Sequence, residues 1–337
     1  MRAITDTRPR QMRRHRRVRP MEITLHVGAH RTATTSFQHY MRQNAPRLRR
    51  LGIGFWGPLR TRGGLFAGVM PDEQSDQTAF DKARHRIGTA LDRAEKAGLR
   101  HLIISEENIL GRPGDNLRDR RLYGRAGTRL ARLTNALDGR IDRVTITVRP
   151  QQDYWPSLVA YAVHRGHPLP DAKAVDDIAQ SQRLWQDTLR EIAAAQTGEV
   201  VVLHHGCGPR STLSAMIKGA IPAPAEHADH HLNAAPERPE LRAAIEARGK
   251  CAAKIPAGEG RWQPFDADQR AMLEEAWFDD HFWLAAGAGG LATWLPHGLP
   301  HTGTTIQPDR AGQNLPSGRL ARGHTNGIEE RRLVGSG

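Results

Sequence analysis

The chain is predicted to be an α/β protein with a central parallel sheet flanked by helices, on three observations. Between residues 21 and 203, short apolar runs alternate with longer segments of helical period. The runs are apolar at successive positions, as in strands covered on both faces. Segments rich in Gly, cations, carboxylates and hydroxyls follow the runs at their carboxyl ends, where open α/β sheets place their ligands.

The first strand is predicted over 23–27, and a helix over about 35–48 ends near Gly52. An irregular, Gly-rich stretch occupies 60–77. Ala83, Ile87, Ala90, Leu91 and Ala94 then recur at helical spacing until Gly98 stops the helix. Residues 101–104 form a short buried strand that runs into Ser105-Glu106-Glu107-Asn108. A helix over about 127–137 precedes a strand at 143–148, and a helix around Leu184, Trp185, Leu189 and Ile192 precedes a strand at 200–203. Helices over 239–247 and 267–286 are expected to pack around this core. Three units follow: a leader over 1–20, an α/β domain over 21–290, and an aperiodic Gly/Pro/Arg-rich tail over 296–337, expected to be disordered.

The formal charge of +13 over 337 residues is unevenly placed. Residues 1–20 hold eight Arg against one Asp, supplying +7 and leaving +6 for the rest. This arm is either a solvated, disordered leader or untranslated, since Met21 stands directly before the first strand. No apolar run follows its arginines, so a secretory or twin-arginine signal does not fit. The run 282–295 is too short and Gly-rich to span a bilayer. Cys207 and Cys251 form neither a framework nor a CxxC pair; free thiols in a reduced, cytoplasmic setting are expected. A modestly basic body suits a polyanionic small ligand, with no specific nucleic acid expected.

Chemistry concentrates in Gly28, Ala29, His30, Arg31, Thr32, Ala33, Thr34, Thr35 and Ser36, between the first strand and a helix. Backbone N–H groups at a helix start attract an anion, and Thr or Ser hydroxyls add donors. A Walker loop would require GxxxxGK[ST], which is not met here. The loop resembles the 5'-phosphosulfate loop of sulfotransferases, whose general form is an apolar strand, GxxKTGTTS and an amphipathic helix. Arg31 replaces the family's usual Lys. Ala33 replaces its usual Gly and is strained if its φ is positive. The segment 144–166 resembles the second sulfotransferase motif, with Arg149 at a strand end and Ser157 eight residues on.

The resemblance, over 21 to about 290, implies a P-loop NTPase-like sulfotransferase architecture with 3'-phosphoadenosine-5'-phosphosulfate as donor and a hydroxyl or amine acceptor, such as a carbohydrate. Arg31 and Thr35 would hold the 5' end, and Arg149 and Ser157 the 3'-phosphate. Glu106 would be the general base, with Glu107 next and His30, His26 and His164 as alternatives. No metal is required for this chemistry. The His-rich patches 204–207 and 227–231 match no ordinary zinc spacing. The rival readings are a P-loop kinase-like enzyme, a catalytically degenerate nucleotide-binding protein, and nucleic-acid binding through the Arg arm.

Overall fold

The computed structural model describes residues 21–70, 76–217, 221–230 and 232–298. The Arg-rich segment 1–20 and nearly all of the tail expected from 296 lie outside the described residues. Six strands form one sheet: β1 Glu22–His26, β2 Ile53–Trp56, β3 His101–Ser105, β4 Arg143–Val148, β5 Glu199–His204 and β6 Thr293–Leu295. Every pairing is parallel, and the order is β2-β3-β1-β4-β5-β6. The chain leaves β1 toward β2 and β3 on one side, then crosses to β4 on the other. Strands β3, β1 and β4 are therefore neighbours, and their carboxyl ends bring Glu106, Gly28 and Arg149 together at the switch point.

The connections are α1 Thr34–Gln43, α2 Ala45–Arg50, α3 Pro58–Arg60, α4 Gln77–Lys96, α5 Pro113–Asp119, α6 Ala126–Ala136, α7 Gln151–His164, α8 Ala172–Ala179, α9 Trp185–Ala194, α10 Pro209–Met216, α11 Arg238–Glu246 and α12 Ala267–Ala285. The two sheet faces differ in chemistry because side chains alternate along each strand. Ile23, Leu25, Leu102, Ile104, Val144, Ile146, Val200 and Val202 join the large apolar core that includes α4, α6 and α9 residues. The opposite face, toward α1 and α10, is polar at its centre: Thr24, His26, Ser105, Thr145 and Thr147 are all buried there. The Thr24 hydroxyl donates to Met216 O, His26 Nδ1 lies 2.9 Å from Ser105 Oγ, and Phe37 packs its ring edge-on against His26.

Several elements differ from the sequence expectation. The first helix is broken: α1 ends at Asn44, whose side-chain amide donates to Tyr40 O, and Pro46 begins α2 without an N–H to continue the ladder. Strand β2 fills a segment where none was expected, since IGFW is short and its Gly54 weakens the pattern. The Gly-rich stretch contains a π-helical turn, Thr61–Leu65, which Gly64 leaves at φ +117. Strand β6, three residues at the sheet edge, was also unforeseen. Cys207 and Cys251 are free thiols. No helix among the described residues is long and apolar enough to cross a membrane.

Candidate functional site

Beyond β1 the chain turns at Gly28, φ +29, where a Cβ would lie 2.5 Å from Thr34 Oγ1. Two further residues take left-handed backbone, Arg31 at φ +64 and Ala33 at φ +62. Ala33 thus occupies the strained alternative, at a position that favours glycine. The Thr32 and Thr34 hydroxyls donate to Ala29 O and fix the loop from within. Helix α1 has no side-chain cap and no acidic residue in its first turn, which leaves its positive end for an external anion.

A cavity of about 280 Å³ lies over this helix end. Its walls bring together His30, Arg31, Ala33, Thr34, Thr35 and Ser36 from the loop with Arg149 and Ser157 from the second motif. Residues outside the two motifs complete it: Tyr161 and Arg261, His205 of the His-rich patch, and the segment Leu232, Asn233, Ala234 and Ala235, where Asn233 is one of the looser family-like positions. That segment is tied to the loop, since Leu232 N–H donates to Ser36 Oγ and the Asn233 amide approaches Thr35 Oγ1 at 3.5 Å. Gly28, Ala29 and Thr32 do not line this cavity. A second cavity of about 220 Å³ shares Ala33, Thr34, Ser36 and His205 with the first and extends toward α10.

Arg31 does not keep to its own end of the loop. Its Nε–H donates to Ser157 Oγ at 3.1 Å, and its guanidinium lies 4.7 Å from the Tyr161 ring centroid. Arg149 donates to Arg31 O at 3.1 Å, while Trp185 Nε1–H holds Arg149 O. The expected division between a 5' pair and a 3' pair is therefore a single cationic cluster. Burial and the neighbouring Arg149 and Arg261 push Arg31 down to about 10, the mark of a cation short of a counter-charge. Burial lowers Arg149 too, and its Nε is buried without a partner. His205 Nδ1 is likewise unpartnered, and burial beside Arg149 pushes the ring down to about 4, so it is neutral.

The two glutamates after β3 have different surroundings. Glu106 is buried; Thr61 donates to Oε2, Arg62 grips both oxygens, and Asn108 N–H donates to Oε1. It does not line the main cavity. Glu107 does, held by Arg62 at 2.9 Å and the Gln38 amide at 2.8 Å. Burial pushes the Glu107 carboxyl up, but Arg62 and Gln38 outweigh it, and the group is ionised at neutral pH. His30 faces the cavity with both ring nitrogens engaged: Nδ1 lies 2.8 Å from Tyr123 OH and Nε2 lies 3.1 Å from Asn108 Oδ1. The amide oxygen accepts only, so Nε2 carries the proton and Tyr123 O–H donates to Nδ1. Burial holds this imidazole below its ordinary value.

The alternative bases lie elsewhere. His26 is buried edge-on to Phe37 and lines the second cavity, and His164 is 3.7 Å from Glu240 on α11. Of the His-rich patches, His227 and His230 converge with His39 of α1. That grouping was not visible in the sequence, where His39 carries no motif. Set beside known proteins, the chain finds no match among protein-family models, curated proteins or solved structures.

Proposed function

We propose that this chain is a sulfotransferase of P-loop-like architecture, moving the sulfuryl group of 3'-phosphoadenosine-5'-phosphosulfate to a hydroxyl or amine acceptor. The observation that carries the reading is the under-neutralised cationic cavity at the switch point. Arg31, Arg149 and Arg261 face one carboxylate, Glu107, over an uncapped helix start, and a buried Arg149 Nε lacks a partner. A nucleoside carrying two phosphate groups would supply the counter-charge that this cluster lacks. In the transfer, the acceptor oxygen bonds to sulfur as the bond from sulfur to the 5'-phosphate oxygen breaks. Negative charge grows on the departing phosphate, which the α1 N-terminus and Arg31 would stabilise. Glu107 would accept the acceptor's proton, and Glu106 would act at one remove by fixing Arg62.

A second reading, nucleotide binding without transfer, is favoured by one observation: the Arg31 guanidinium is already engaged by Ser157 and Tyr161 of α7. Calorimetric titration with 3'-phosphoadenosine-5'-phosphate, adenosine-5'-monophosphate and ATP tests the shared premise. The bisphosphate should bind most tightly, and Arg149→Ala should weaken it by about ten- to a hundredfold while changing the monophosphate far less. Equal affinity for all three nucleotides would sink the sulfotransferase reading, and binding of none of them would sink both. Tight bisphosphate binding with no sulfuryl transfer to a panel of hydroxyl and amine acceptors would favour the second.

A further inference from the structure

The segment 221–230 lies against α1 as a strap held at fixed points. The Tyr40 hydroxyl donates to Pro224 O, the Asn44 amide donates to Glu226 O, and Arg47 pairs with the Glu226 carboxylate at 3.0 Å. Farther on, Leu232 N–H donates to Ser36 Oγ. Ser36 and Tyr40 lie on α1, Asn44 caps it and Arg47 follows on α2, so the strap runs along α1 and across the break, and His39 lies between the anchors. There it meets two imidazoles of the strap: ring centroids are 5.1 Å from His230 and 6.3 Å from His227, and those two are 5.6 Å apart. One ligand nitrogen from each of the three lies within 4.8 Å of the other two.

We infer that His39, His227 and His230 form a binding site for a divalent transition-metal ion of the zinc class, with three imidazole ligands and one open position. Three imidazoles are an uncommon thing to gather by chance around one point, and none has a hydrogen-bond partner among the described residues that would explain the gathering. Neutral nitrogen donors suit zinc, copper or nickel and do not suit magnesium or calcium, which take oxygen. Tetrahedral zinc with bonds of about 2.0–2.1 Å holds its nitrogens about 3.3 Å apart, so the separations need close by at most about 1.5 Å. His227 and His230 are exposed on the strap and have room to make that adjustment.

The consequence is a staple between strap and helix. None of the three histidines lines the cavity over the start of α1, and the metal reading does not rest on the nucleotide reading, although His230 lines the adjoining second cavity and the strap leads on to Leu232, Asn233, Ala234 and Ala235 in the first cavity's wall. The test is titration of the metal-free full chain with Zn²⁺ against a chromophoric chelator, with Co²⁺ absorption as a report on ligand geometry. One site should appear, weakened by roughly tenfold or more in each of His39→Ala, His227→Ala and His230→Ala and unchanged in His167→Ala. Zn²⁺ should also slow amide exchange over 221–230. His39→Gln, which keeps a polar side chain on the half-buried helix face, guards against misfolding as the cause and should lose the metal as well. Zn²⁺ affinity that survives His39→Gln and His230→Ala, or that is no greater than in the triple alanine variant, would overturn the assignment.

Discussion

Ala33 sits at φ +62, ψ +19 directly before α1, where an L side chain costs about 1–2 kcal/mol and glycine nearly nothing. Glycine also gives back about 0.4–1 kcal/mol through the freer unfolded chain. Ala33→Gly should therefore raise stability by about 0.5–1 kcal/mol in denaturant unfolding; a loss would show that the methyl makes a contact worth more than its strain. The glutamates separate by readout. On the proposed sulfotransferase function, Glu107→Gln should reduce turnover with bisphosphate affinity nearly kept, whereas Glu106→Gln should cost about 1–3 kcal/mol of stability by breaking the Arg62 and Thr61 bonds. The reverse pattern would return the base to Glu106. Burial pushes His26 down to about 4, with Glu107 partly opposing. Its contribution to stability is full above the ordinary value near 6.5 and is lost as pH falls through about 4. Asp280, which burial pushes up to about 7, works in the opposite sense in the same window, so the measurement is a difference. The melting temperature of His26→Gln should fall less than that of the parent between pH 6.5 and 4. The loop, Arg149 and Ser157 were legible because each stands at a fixed offset from a strand end. Tyr161, Arg261 and Tyr123 were not, since they reach the site through tertiary packing and carry no local signature.

At the scale of elements, α9 begins on a buried carboxylate supplied by α12. Asp280 accepts from Trp185 N–H at 3.0 Å, Gln186 N–H at 2.9 Å and the Gln151 amide at 3.3 Å. Asp280→Ala would strand two buried helix-start donors and should cost about 2–4 kcal/mol. A variant within a few tenths of the parent would mean that water reaches those donors. This link between distant elements was invisible in the sequence, where Asp280 reads as one more polar residue of a helix packed around the core. Strands β1, β3, β4 and β5 were legible because burial on both faces forces apolar or β-branched residues at successive positions. Strands β2 and β6 were not, because an edge strand of three or four residues needs little apolar surface and leaves little pattern. The break at Asn44 was readable in hindsight from Pro46, which removes one ladder bond, but the apolar spacing of Tyr40, Met41 and Leu48 continues across it.

For the molecule as a whole, more than half of the formal charge belongs to residues 1–20, while β1 begins behind a buried Met21. A chain starting at Met21 should keep its melting temperature and, on the proposed function, its bisphosphate affinity, and should lose most of any salt-sensitive retention on DNA. Loss of nucleotide affinity on that truncation would give the arm a part in the site. The cavity itself is closed on two sides by pieces of one body. Its floor is the start of α1, and the strap that leads to its roof hangs from that helix through Tyr40, from its Asn44 cap and from α2 through Arg47. Roof and floor must then travel together, and traffic into the cavity falls to the other wall, where Ser157 and Tyr161 stand on α7 and Arg261 on a separate segment. The rate at which a bound molecule escapes should accordingly follow the breathing of α7, not the release of the strap.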